Sequence, residues 1–130
     1  MPLTVKNMLS EANAVVPRIT PEEAVTLEKD GALIVDVRDA AELEASGKIA
    51  GALHVSRSLI EFQADPESPA HNPEFRPERT IILYCASGAR SALAGKTLLD
   101  LGFTDVRNLG SFSGWVKAGG RIEKPAGGDS

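Results

Sequence analysis

The chain holds one cysteine, Cys85, and it opens the heptapeptide Cys85-Ala86-Ser87-Gly88-Ala89-Arg90-Ser91. The apolar run Thr80-Ile81-Ile82-Leu83-Tyr84 precedes it, and a helical pattern follows. A sulfur between a strand end and a helix start meets a row of backbone N–H groups that no large side chain screens. Such a row holds anions, and a thiolate is one. Reactive thiols in these settings ionise about 1 to 5 units below the free value of roughly 8.5. Two units correspond to about 2.7 kcal/mol in favour of the anion. Arg90 adds a charge that does not titrate away. Most lone cysteines are inert buried hydrophobes. The strand end, the small-residue loop and the arginine together mark Cys85 as a nucleophile, with Ala86, Ser87, Gly88, Ala89, Arg90 and Ser91 as the substrate-binding loop.

With no second thiol there is no disulfide exchange, and no histidine lies near Cys85 in sequence to act as a protease base. Phosphoryl transfer and sulfur transfer remain, and both pass an anionic substrate through a covalent cysteine intermediate. Loop length discriminates between them. The spacing here is Cys-x4-Arg, one residue shorter than the Cys-x5-Arg loop of cysteine phosphatases. A smaller cradle suits a single sulfur better than a tetrahedral phosphoryl group. Arg90 is expected to lie over the mouth and meet the donor's anionic oxygens with two N–H groups. The alternative is that it turns away and braces the helix.

Thr4 caps a short helix with Val5, Met8, Leu9 and Ala12 on one face. Val15-Val16 before Pro17 suits a short edge strand. Thr20-Pro21-Glu22-Glu23 is a helix start with a capping box. Ala32 to Val37 reads as a strand buried on both faces. Asp39 to Ala45 is a short helix, with Glu42 three residues after a capping Asp39 and Gly47 as its stop, and Ala52 to Val55 a short strand. Arg57 to Arg79, with four prolines, reads as a long loop. Thr80 to Tyr84 is a second buried strand, and Arg90 to Leu101 a helix. Val106 to Leu109 is a last strand, and Ser111 to Ala118 a last helix carrying Phe112 and Trp115. Strands alternating with helices predict an α/β fold with a central, mostly parallel sheet flanked by helices on both faces. Ligands in such folds sit beyond the carboxyl ends of the strands, where Cys85 stands.

Composition narrows the field. At 130 residues the chain is long enough for one core, with no disulfide or metal staple required. Its net charge of −4 and pI near 5.2 argue against a nucleic-acid partner. One thiol excludes an internal disulfide framework and a multi-thiolate zinc site. No run of about 18 apolar residues is present, so no membrane span is expected. Met1 to Glu11 lacks the pattern of a signal peptide. A single unpaired thiol suits a reducing, cytoplasmic setting.

Four segments in order and spacing resemble the single-domain rhodanese-like sulfurtransferases, over about Arg18 to Ile122. Asp36-Val37-Arg38 with Glu42 resembles the family's acidic–Val–Arg segment. Gly47-Lys48-Ile49-Ala50-Gly51-Ala52 is similar to its Gly-His-Ile-Pro-Gly-Ala turn. Cys85 to Ser91 resembles its Cys-x-x-Gly-x-Arg-Ser loop. Gly102-Phe103, Val106, Leu109-Gly110 and Gly114-Trp115 resemble its closing pattern. Lys48 and Ala50 replace the usual His and Pro, and Ser111 replaces a second Gly. The resemblance divides the chain into an N-terminal arm (1–17), a rhodanese-like domain (18–122) and a flexible tail (123–130). It implies that the Cys85 thiolate takes the sulfane sulfur of thiosulfate. A persulfide is left, held by the loop amides, and a thiophilic acceptor then removes its outer sulfur. That acceptor is cyanide in an assay, or a cellular thiol or protein acceptor. No metal or organic cofactor is implied. The competing readings are a small cysteine phosphatase or arsenate reductase, and a sulfur-carrying or regulatory module without turnover.

Other polar residues are read more plainly. Asp36 and Arg38 are structural, Asp36 by accepting backbone N–H groups and Arg38 by pairing with Glu42 at i,i+4. Arg57, Glu61 and His71 lie in the long loop, where Arg57 and Glu61 are candidates for lining the entrance. His54, His71 and Cys85 fit no metal-ligand spacing.

Overall fold

The computed structural model describes residues 2–124. Four parallel strands make the central sheet. These are β1 (Leu33–Asp36), β3 (Leu53–His54), β4 (Ile81–Cys85) and β5 (Val106–Ser111), in the spatial order β3-β1-β4-β5. Side chains alternate across this sheet because the strand period is two. Leu33, Val35, Ile81, Leu83 and Cys85 enter one core, and Ile34, Ile82 and Tyr84 the other. Both faces are therefore apolar and need helices over them, as the continuous hydrophobic runs predict.

On the first face lie α4 (Ile60–Ala64) and α5 (Ala89–Asp100), which bury Ile60, Ala64, Ala94 and Leu98. The helix α1 (Val5–Val15) packs outside α5. A side chain at Gly95 of α5 would collide with Val16, so that close approach requires glycine. On the second face lie α2 (Pro21–Lys29) and α6 (Phe112–Lys117), which bury Ala24, Phe112 and Trp115. The remaining helix, α3 (Ala40–Ser46), stands at the carboxyl end of β1. A second, two-stranded antiparallel sheet pairs β2 (Lys48–Ile49) with β6 (Ile122–Glu123).

The helix starts follow the capping chemistry. Thr4 and Thr20 accept from the N–H groups of Asn7 and Glu23 at 3.0 and 3.1 Å. Glu23 and Glu42 reach back to Thr20 N and Asp39 N at 2.8 and 3.0 Å.

Several expectations are corrected. Val15 belongs to α1, and the segment that pairs with the sheet lies further on: Arg18 bridges Asn108, with Asn108 N donating to Pro17 O at 2.8 Å. The helix wins because Val16 N still finds an acceptor in Ala12 O. The stretch 57–79 is not structureless, since a single 3-10 turn (Arg57–Leu59) and α4 occupy its first part. Ile60 and Ala64, one helical turn apart, are the buried pair that holds α4 down. The antiparallel β2–β6 pair was not foreseen, and it crosses the expected limit at residue 122. Of the expected tail, residues 125–130 lie outside the described residues.

Lys48, standing where the resembled family has His, supports its turn by another route. Its ammonium donates to Ala52 O and to Glu123 Oε1, each at 2.6 Å, and Gly51 N also donates to Glu123 Oε1, at 2.8 Å. Ser111, in place of Gly, caps α6 by accepting from Gly114 N at 3.0 Å.

Candidate active site

Cys85 is the last residue of β4, and α5 begins four residues later. Gly88 is the N-cap of α5 with φ +99°, a left-handed conformation that costs glycine nothing. That turn brings Gly88 N to 3.0 Å from Cys85 Sγ. Ser91, in the first turn of α5 and fully buried, places its hydroxyl 3.5 Å from the same sulfur. The sulfur thus sits at a helix N-terminus, where N–H groups point outward unpaired.

Burial pushes the Cys85 thiol up. The Ser91 hydroxyl and the backbone N–H groups of Ser91, Ser87 and Gly88 push it down and prevail, so it ionises below its ordinary value. This is the direction the loop's residue types predict.

A side chain that the sequence reading passed over holds this arrangement together. Asn108 of β5 is fully buried. Its Nδ2 donates to Gly88 O at 3.0 Å, which orients the amide. Its Oδ1 then accepts from Gly110 N at 2.9 Å and from the Ser91 hydroxyl at 2.8 Å. Ser91 has one proton and two neighbours for it. Against a neutral thiol it donates to Asn108. Nothing in the sequence around Asn108 signals this, because it is the pairing of β5 with β4 that brings Asn108 to the loop.

Arg18 was also missed. Its guanidinium lies against the backbone of Gly88 and Gly110. A Cβ at Gly88 would stand 3.2 Å from Arg18 Nη1, and one at Gly110 would overlap the guanidinium. The two glycines, both with positive φ, let an exposed arginine cover the flank of the loop.

Arg90 does not stand alone over the mouth. Its Nη1 and Nη2 donate to Glu42 Oε1 and Oε2 at 2.8 and 3.0 Å, a bidentate pair between α5 and α3. Hydrogen bonding to Arg90 holds Glu42 down to about 2, and the carboxylate together with the Cys85 sulfur raises Arg90 further above its usual value. The expected Arg38–Glu42 pair is not made. Arg38 instead turns back on Asp36, with Nη2–Oδ2 at 2.8 Å and both residues buried, because Asp36 ends a buried strand and has no water to turn to. Arg38 N also donates to Asp36 Oδ1 at 2.9 Å, the backbone role foreseen for Asp36.

Arg57 and Glu61 pair with each other at 3.2 Å, and Arg57 also donates to Thr97 Oγ1, in the third turn of α5. Arg57 lines a surface hollow with Leu3, Met8 and Leu93, so the structure brings the Arg57–Glu61 pair to the flank of α5 and not to the loop 85–91. His71 Nε2 donates to Phe75 O within its own loop at 3.2 Å, and His54 Nε2 donates to Arg38 O at 2.7 Å.

The molecule is thus a parallel α/β sheet with a thiol at a strand end, beside the amides of a strand–helix loop. Residues 20–118 match the rhodanese-like domain family, and the chain belongs to it. It is 36% identical over 102 residues to the thiosulfate sulfurtransferase GlpE of Pseudomonas fluorescens, covering 75% of this chain and 83% of that one. Its fold matches a protein of unknown function from Rhodopseudomonas palustris, described as a possible tyrosine phosphatase. There the TM-score is 0.84 and the identity 43%, over 95% of this chain and 99% of that one. It also matches the polysulfide-sulfur transferase of Wolinella succinogenes, with a TM-score of 0.73 and 28% identity over 96% and 90% of the two chains.

Proposed function

We propose that the protein is a sulfurtransferase that moves a sulfane sulfur, with thiosulfate as a donor, through a persulfide on Cys85. The observation that carries this reading is the Gly88 N–H at 3.0 Å from Cys85 Sγ, inside a loop whose hydroxyl and amides favour the thiolate. The thiolate attacks the outer sulfur of thiosulfate. The S–S bond breaks, sulfite leaves with the electron pair, and Cys85–S–S⁻ remains. The charge on the outer sulfur replaces the charge on Sγ within the same ring of donors, so the loop serves both halves of the cycle. A thiol or cyanide then takes the outer sulfur and restores the thiolate. A protein thiol can be the acceptor. The cycle calls for no metal or organic cofactor, and a reducing, cytoplasmic compartment would keep the lone thiol free. The similarity to GlpE, named for this activity, supports the same reading.

Phosphatase chemistry is the second reading, because the Rhodopseudomonas palustris relative is described in those terms. The loop argues against it. Cys-x4-Arg is short for a phosphoryl group, and the arginine that would hold the phosphate oxygens is already paired with Glu42. Intact mass after thiosulfate treatment tests the two together. Sulfur transfer predicts a gain of one sulfur, roughly 32 Da, on the native protein and none on Cys85→Ser. No gain, with hydrolysis of p-nitrophenyl phosphate, would establish the phosphatase reading instead.

A further inference from the structure

The pairing of Arg90 with Glu42 bears on which sulfur donor the site accepts. Arg90 is the only cation among residues 85–91. An unpaired guanidinium there would meet a sulfonate with two parallel N–H donors. In this protein those donors already meet a carboxylate, at 2.8 and 3.0 Å. Glu42 is itself held in place, since its Oε1 accepts from Asp39 N at 3.0 Å as part of the cap of α3. To engage thiosulfate, Arg90 must leave a charge-assisted bidentate partner, and the dianion must approach with that carboxylate beside it. The net charge of −4 gives no long-range help. An organic persulfide with an uncharged R group avoids both costs, because it carries at most one charge and needs no sulfonate site.

We propose that Glu42 is a specificity-determining residue: by clamping Arg90 it withholds the loop's cation from dianionic donors and biases the site toward low-charge organic persulfides. This rests on the sulfurtransferase reading. The step with such a donor is balanced in the same way. The Cys85 thiolate attacks the outer sulfur of R–S–SH, the S–S bond breaks, and R–S⁻ leaves with the electron pair and takes a proton from water. The transferred sulfur gives up its proton to water, so the net products are R–SH and Cys85–S–S⁻, the same persulfide that thiosulfate yields.

The test compares two donors, thiosulfate and the persulfide of 2-mercaptoethanol, on the native protein, Glu42→Gln, and Glu42→Gln with Arg90→Ala. Glutamine keeps the side-chain length and an acceptor for Asp39 N but removes the charge. Release of one charged hydrogen-bond fork is expected to lower the KM for thiosulfate about tenfold in Glu42→Gln, with kcat within about twofold. The KM for the persulfide stays within about twofold, and adding Arg90→Ala abolishes the thiosulfate gain. Circular dichroism verifies that each variant is folded. If Glu42→Gln is unfolded, Glu42→Asp, which shortens the reach to Arg90 and loosens the clamp, is expected to show the same donor-selective gain in smaller measure. Equal changes for both donors, no change for thiosulfate, or a gain that survives Arg90→Ala would overturn the role of Glu42 while leaving sulfur transfer intact. Failure of both donors to load sulfur onto native Cys85, read by intact mass, would overturn the sulfurtransferase reading and this proposal with it.

Discussion

Two arginine–carboxylate pairs flank the carboxyl end of β1, and they differ in almost everything but chemistry. Asp36 and Arg38 are two residues apart and sealed in the core, at 0% and 3% exposure. Arg38 spends its donors on both oxygens of Asp36, on Ser46 Oγ at 2.9 Å and on Gly47 O at 2.6 Å, and its guanidinium lies 4.3 Å from the centre of the Phe112 ring. Glu42 and Arg90 are 48 residues apart and about one-third exposed. The first pair joins α3 and the Gly47 turn to the sheet, and neither partner can leave without stranding the other in a dry interior. The second crosses from α3 to the cysteine loop within reach of water, so its partners can be exchanged at modest cost. Burial separates the pair that builds the scaffold from the pair that can tune the site.

Substitution should expose that difference, beginning with the buried pair. Arg38→Ala leaves the Asp36 carboxylate uncompensated and is expected to cost about 3–5 kcal/mol of stability, measured by denaturant unfolding. A loss below about 1 kcal/mol would show that the Asp36–Arg38 pair does not hold the scaffold. Asn108→Ala, which takes partners from Gly88 O and Gly110 N while leaving both ion pairs, should cost about 1–3 kcal/mol by the same measurement.

Glu42→Gln should have the smallest effect, below about 1 kcal/mol at neutral pH. Its acid limb is diagnostic. Glu42 ionises at about 2 in the folded protein against an ordinary 4.5, so its contribution is present above about 4.5 and lost as pH falls toward 2. Native protein and Glu42→Gln should therefore differ at pH 6 and converge near pH 2 in urea titrations. A difference that persists unchanged to pH 2 would show that the charge of Glu42 does not carry the pair.

The surroundings of Cys85 were legible from residue types, because their causes are local. A strand end, three small residues and a helix start within Tyr84 to Ser91 determine which amides face Cys85. The strands β1 and β4 were legible as well, since apolar runs of that length have few other uses. So were the caps of α2 and α3, which need only residues three apart. The short β2–β6 pair escaped, because two-residue strands carry no period and their register depends on partners more than 70 residues apart. The helix α4 escaped because prolines dominate the composition around it.

Within the site, the heptapeptide alone puts Arg90 in the Cys85 loop, but where its charge goes follows from the packing of α3 against α5. Glu42 was visible as the N3 residue of a capping box, and that local role is borne out. Its second role depends on α3 and α5 meeting above adjacent strands, which no local pattern encodes. The same holds for Asn108, brought beneath the loop by the pairing of β5 with β4, and for Arg18, laid across Gly88 and Gly110 by the bridge to β5. Local chemistry determines which groups can react, because backbone geometry over a few residues is dictated by their own side chains. Charge compensation belongs to the fold, because a carboxylate pairs with whichever cation packing brings within about 4 Å.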